Sequence, residues 1–260
     1  MINKSIILSI LILLVSSCAS NGGSKKTNNR TESIKEAANN SAEKINVDLG
    51  VGYLKRGRDG DIDVAIKKFK KAIKINPTYA LAHSMLATVY DRKGLFDSAE
   101  IHYKKSIKYN NGNPNIVNNY ANFLCQRGLY NEAIEKYKEV IENPKYSTPA
   151  SAYENAGVCA MKANNNEEAE KYFRESLKIS NKSANSLYYL LTIYLKKGEY
   201  MKARAFLQRL EQVVQPSEEI LAAGYQVEKG LNHTKLAKNY LTKLKNRFPR
   251  SESLKQIQEN

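Results

Sequence analysis

The sequence predicts an all-α solenoid built from six helix–turn–helix units, and three observations predict it. Small residues stand at Ala65, Ala99, Ala133, Ala169, Ala203 and Ala237, at steps of 34, 34, 36, 34 and 34 residues. Four residues after each comes a bulky one: Phe69, Tyr103, Tyr137, Phe173, Leu207 and Leu241. Five residues before each comes Gly60, Gly94, Gly128 or Gly198, or in the fourth and sixth units Asn164 and Asn232. A spacing of four puts the small and bulky residues on one helix face, where one makes room for the other. Gly and Asn take the positive φ that lets the chain leave one helix and turn back into the next.

A 34-residue helical period with a small residue at its twentieth position is the tetratricopeptide signature. Its units stack as a right-handed superhelical solenoid, each burying one face on its neighbour. The elements follow in chain order. Residues 1–17 carry Lys4 and an apolar run Ile6–Val15 that is too short to span a bilayer, the layout of a secretory signal. Leu14-Val15-Ser16-Ser17-Cys18 resembles a bacterial lipobox, in which the Cys is acylated and becomes the first mature residue; a soluble secretion signal with an incidental Cys18 is the alternative. Ala19-Ser20, without an Asp, imply sorting to the outer membrane facing the periplasm. Residues 18–42, rich in Asn, Ser, Lys and Gly, make a flexible tether.

Residues 43–260 hold the six repeats and a capping helix. In the first unit, Leu49, Gly50 and Tyr53 fit positions 7, 8 and 11 only if three extra residues sit in the turn Lys55–Asp61. The 36-residue step falls at Asn143-Pro144-Lys145-Tyr146-Ser147-Thr148-Pro149, where two prolines predict an irregular connection. Glu252–Gln258 reads as the short helix that closes the last apolar face.

Lys plus Arg number 41 against 26 Asp plus Glu, a formal charge of +15. Such a surface suits nucleic acid, an anionic membrane or an acidic partner, or is only a solvated face; the export signal removes nucleic acid. His83, His102 and His233 read as scattered over different units without metal-ligand spacing, and Gly50-Val51-Gly52 follows no strand, so no metal, cofactor, small-molecule substrate or catalytic set is expected. Glu167-Glu168 and Glu218-Glu219 sit where acidic residues favour a helix N-terminus. Cys125 and Cys159 fall in the first helices of the third and fourth units, which pack side by side. They form either a disulfide between neighbouring repeats or two small buried thiols.

In tetratricopeptide arrays the first helices line a concave groove for a peptide. Transferred by position, the second to fifth units offer Ser84, Thr88, Asp91 and Arg92; Asn115, Asn118, Asn122 and Gln126; Ser151, Glu154, Val158, Met161 and Lys162; and Asn185, Tyr188, Thr192 and Lys196. Asn115, Asn118 and Asn122 share one helix face, and side-chain amides present donors and acceptors suited to peptide backbone. A wet scaffold face is the alternative.

Asn118-Asn119-Tyr120-Ala121-Asn122-Phe123-Leu124-Cys125-Gln126-Arg127-Gly128-Leu129-Tyr130-Asn131-Glu132-Ala133, then Tyr146–Ala150, Ala152–Ala160, Lys202–Arg209 and Arg247-Phe248-Pro249, resemble the type IV pilus biogenesis and stability family, PilF/PilW. The likeness departs in the first-unit insert and at Ala121, where that family often has Gly. It implies a non-enzymatic, pilotin-like outer-membrane lipoprotein that binds the type IV pilus secretin and promotes its localisation and multimer assembly. The alternative is a periplasmic lipoprotein adaptor that scaffolds peptidoglycan-processing enzymes.

Overall fold

The computed structural model describes residues 41–259. The expected secretory signal 1–17, the expected acylation site Cys18 and all of the expected tether 18–42 except its last two residues lie outside the described residues. Thirteen helices run in succession with no strand among the described residues: α1 (Ala42–Arg56), α2 (Asp61–Ile75), α3 (Ala80–Arg92), α4 (Phe96–Lys108), α5 (Pro114–Gln126), α6 (Tyr130–Ile141), α7 (Pro149–Lys162), α8 (Asn166–Ile179), α9 (Ala184–Lys196), α10 (Tyr200–Glu211), α11 (Glu218–Gly230), α12 (Thr234–Arg247) and α13 (Glu252–Glu259). Odd and even helices pair as antiparallel hairpins, and each even helix then packs on the odd helix that follows it. The result is a tetratricopeptide solenoid of six units closed by α13.

The small residues are where stacking needs them. Ala65, Ala99, Ala133, Ala169 and Ala203 are wholly buried, and Ala237 nearly so. Phe69, Tyr103, Tyr137, Phe173 and Leu207 are buried one turn on. The sixth unit is corrected by one residue. Tyr240 rather than Leu241 stands over the first helix, its ring where a Cβ on Gly224 would lie, while Leu241 is half-buried beside Leu221, Leu244 and Leu254. Leu241 packs instead on the cluster that α13 joins through Leu254, and the aromatic one position earlier fills the place over the first helix.

Every turn between paired helices places its Gly or Asn in the left-handed region, with φ of 79° at Gly60, 73° at Gly94 and 59° at both Asn164 and Asn232. From the second unit on, the residue after each turn reaches back to a carbonyl five positions earlier, as Leu95 N–H does to Tyr90 O at 2.9 Å and Asn165 N–H to Ala160 O at 2.9 Å. These bonds satisfy carbonyls the helix end leaves open. The three-residue insert in the first unit is visible as spacing. A Cβ on Gly50 would meet the Phe69 ring nineteen residues on, and a Cβ on Gly157 would meet Phe173 sixteen residues on.

The long connection between α6 and α7 is irregular, and its Tyr146 turns inward onto Val117, Val140 and Ala152. Helix α13 runs one residue beyond the expected Gln258, and its Leu254 is buried on Leu221, Ala222 and Leu244. No described helix is long and apolar enough to cross a membrane.

Candidate functional site

First helices of successive units lie side by side, α1 on α3, α3 on α5 and α5 on α7, so their outward residues form one continuous face. One depression on it lies between α3 and α5. It holds about 280 Å³ and is lined by Thr88, Asp91, Arg92, Tyr103, Asn119, Asn122, Phe123 and Gln126. Asp91, Arg92, Asn122 and Gln126, expected to line the groove from sequence, meet here around one hollow.

Each lining residue owes its place to the repeat. Asp91 and Arg92 end α3 one turn before the Gly94 reversal, and Gln126 ends α5 in the same register. Phe123 and Tyr103 supply the floor, with ring centroids 4.9 Å apart. Thr88 Oγ1 and Tyr103 Oη share a hydrogen bond of 3.0 Å, and burial pushes the Tyr103 phenol up to about 12. The buried Tyr137 donates to Asn122 Oδ1 at 2.6 Å. Half-burial raises the Asp91 carboxyl above its usual range, while Arg127 and Arg92 oppose that rise. The hollow thus pairs a carboxylate and a guanidinium at its rim with amides on its wall, a set able to bind both backbone and charged side chains.

The asparagines divide the work. Asn119 Nδ2 reaches back to Ser84 Oγ in the second unit at 3.3 Å, and Asn118 Oδ1 accepts from Asn155 Nδ2 in the fourth at 3.4 Å. Two adjacent side chains on α5 therefore tie the third unit to both neighbours. Asn115 is exposed at the start of α5, with its side chain 3.2 Å from Asn113 Oδ1. Ser84, placed on the groove by position, is wholly buried.

Farther along, Glu154 is tied into the structure. Its carboxylate accepts from Ser176 Oγ at 3.2 Å, from Ser183 Oγ at 2.5 Å and from Asn185 Nδ2 at 3.2 Å, clamping α7 to α8 and to the start of α9. Tyr188 is half-buried with its phenol raised, first by burial and then by the Glu219 charge. Lys162 and Lys196 are exposed at the last turns of α7 and α9 and do not line the hollow. Asn119, Phe123 and Tyr103 were not singled out as groove residues. Asn119 had a signal, its adjacency to Asn118 on a helix rich in asparagine, whereas the two aromatics read as core.

Between α5 and α7 the structure joins Cys125 and Cys159 in a disulfide, with Cα atoms 5.7 Å apart. The bridge sits one residue from Gln126 and fixes the wall of the hollow to the fourth unit.

Tetratricopeptide repeat models match residues 58–94, 80–113, 121–184 and 160–223. The chain is similar to the type IV pilus assembly protein PilF of Pseudomonas aeruginosa (strain PAO1), at 26% identity over 212 residues that cover 82% of this chain and 83% of that protein. The solved structure of Pseudomonas aeruginosa PilF superposes with a TM-score of 0.74 at 26% identity, covering 84% of this chain and 97% of that one. A structure of PilW, described as a widely conserved type IV pilus biogenesis factor, gives a TM-score of 0.75 at 24% identity over 84% of this chain and 99% of that one, a likeness of fold.

Proposed function

This chain is a tetratricopeptide protein homologous to the type IV pilus assembly protein PilF, and from that premise we propose that it is a pilotin-like lipoprotein, without enzymatic activity, acting in pilus biogenesis. Acylated at Cys18 and held at the periplasmic side of the outer membrane, it binds a subunit of the pilus secretin and promotes its localisation and multimer assembly. The observation that supports this most is that the likeness covers 82% of this chain and 83% of that protein. An anchor that confines a binding groove to a membrane raises the local concentration of what it captures, so assembly is promoted without a bond being made or broken. The polar hollow between α3 and α5 is the surface assigned to the secretin segment.

The test compares heat-resistant secretin multimer with monomer in outer membranes from wild-type cells, deletion cells and deletion cells carrying variants. Arg92→Ala/Gln126→Ala is the informative variant, because both side chains are exposed and neither makes a hydrogen bond or ion pair among the described residues. Loss of multimer on deletion, restored by the wild-type protein but not by this variant, supports both role and groove. Multimer unchanged in amount and location on deletion removes the secretin role, and the peptidoglycan-adaptor reading takes its place.

A further inference from the structure

The outward ridge of the second helices carries charge unevenly along the array. On α2, Lys67, Lys70, Lys71 and Lys74 are all exposed, and their spacing of i, i+3, i+4 and i+7 sets them on one stripe. One repeat later the same four positions on α4 are Ile101, Lys104, Lys105 and Lys108, again all exposed. In the third unit they become Glu135, Lys138, Glu139 and Glu142, with Lys138 on Glu135 at 2.9 Å and Lys136 on Glu139 at 2.9 Å. In the fourth they are Lys171, Arg174, Glu175 and Lys178, but Arg174 is paired with Glu170 at 3.1 Å and Lys178 with Glu175 at 2.6 Å, so the ridge with most of its charge unpaired is that of the first two units.

Carboxylates on these helices do not neutralise it. Asp61 is held by Arg56 at 2.5 Å, Asp63 by Lys93 at 3.0 Å, Glu100 takes only Lys104, at 2.6 Å, and Asp97 in the first turn of α4 forms no ion pair with these lysines. Among the described residues the other six lysines make no ion pair; Lys70 and Lys108 merely lie over the rings of Tyr90 and Tyr109. The two stripes are neighbours in space: Lys70 on α2 lies 5.9 Å from the Tyr90 ring centroid, and that ring lies 5.7 Å from His102 on α4. Ile62, Ile75 and Ile101 stand exposed beside the lysines, each with 44% or more of its surface open. Ammonium groups on flexible stems, interleaved with a few exposed apolar side chains on a convex face, match an extended anionic surface better than a shaped pocket.

We propose that this ridge of α2 and α4 lies against an anionic phospholipid surface, so that the array rests on the bilayer by its first two units. The inference rests on the lipid-anchored reading above, since acylation at Cys18 would keep these units, the first after the proposed tether 18–42, nearest the membrane. Phosphate headgroups supply the missing negative charge, and the ridge turns the concave face of the later units toward the periplasm.

The test uses the full acylated protein reconstituted in vesicles, with each lysine's reactivity toward an amine-acetylating reagent read by mass spectrometry. Vesicles of phosphatidylcholine containing phosphatidylglycerol are compared with phosphatidylcholine alone, at low and high salt. Several-fold protection of Lys67, Lys71, Lys74 and Lys105 on the anionic vesicles, lost at high salt and absent on the neutral ones, is expected, with Lys162, Lys196 and Lys238 unchanged. Equal reactivity of the ridge lysines on both vesicles overturns the proposal. Protection by soluble polyglutamate but not by anionic vesicles also overturns it, and assigns the ridge to an acidic protein segment instead. The mass of the Cys18 peptide in the same spectra reports acylation, and secretin multimer in cells reports the pilotin role, so failure of either is distinguishable from failure of the ridge.

Discussion

At the scale of single residues, the hollow is held by hydrogen bonds that its own surface residues make. Asn122 lines the groove and also receives the hydroxyl of the buried Tyr137. Asn122→Ala strands that hydroxyl and should cost about 1–3 kcal/mol in denaturant unfolding, whereas Gln126→Ala should leave stability within about 0.5 kcal/mol. The His83–His102 pair sets a pH dependence. The Pro77 carbonyl can only accept, so His83 Nε2–H donates to it at 3.0 Å, and His83 Nδ1 accepts from His102 Nδ1–H at 2.9 Å. Burial first, then His83, Lys105 and Lys70, lower the His102 imidazole to about 4, and burial also lowers His83. A histidine held neutral in the fold but free to protonate when unfolded makes the unfolded chain bind more protons. The stability it contributes is complete above the ordinary histidine value of about 6.5 and is lost as pH falls from there toward 4. Thermal midpoints should therefore drop between pH 7 and pH 5, and His102→Gln should flatten that drop. Little of this was legible in sequence, where the histidines read as belonging to different units: His83 and His102, nineteen residues apart, both belong to the second unit and meet when α3 folds onto α4. The partners of Glu154 were hidden for the same reason: the start of α9 brings Ser183 and Asn185 to its carboxylate only in the folded array.

At the scale of the helix, small residues mark where two helices come closest, and the rule separates glycines that look alike in sequence. A Cβ on Gly157 would stand 2.7 Å from the Phe173 ring, while one on Gly52 would meet nothing within 4 Å. Gly157→Ala should destabilise by about 1–3 kcal/mol by displacing a buried ring, and Gly52→Ala should stabilise by about 0.5–1 kcal/mol by removing a flexible residue from a helix. Opposite shifts in melting temperature check the pair. Like-charged neighbours on the α2 ridge oppose helix formation by about 0.2–0.5 kcal/mol each, so Lys71→Gln should raise stability slightly. The helices and their order were legible because the ruler of small and bulky residues is a packing requirement repeated six times. The array ends were less so, and the exchange of Leu241 for Tyr240 in the sixth unit shows why. A terminal unit has a neighbour on one side only, and its side chains settle by local fit.

At the scale of the molecule, the array is a line of nearest-neighbour contacts with one covalent tie near its middle. Reducing the bridge between Cys125 and Cys159 should cost about 2–4 kcal/mol and broaden unfolding, checked by melting with and without reductant. The tie also determines how the protein bears tension. A solenoid pulled at its ends opens like a zip, one unit at a time, and on the lipid-anchored reading proposed above a load on the groove would pull it in that way. Under such a load the units outside the bridge extend, but the 34-residue span from Cys125 to Cys159 cannot lengthen. It withholds roughly 110–120 Å of contour length. Single-molecule stretching should show this length only after reductant is added, and until then the wall that carries Gln126 stays next to its neighbour while the ends give way.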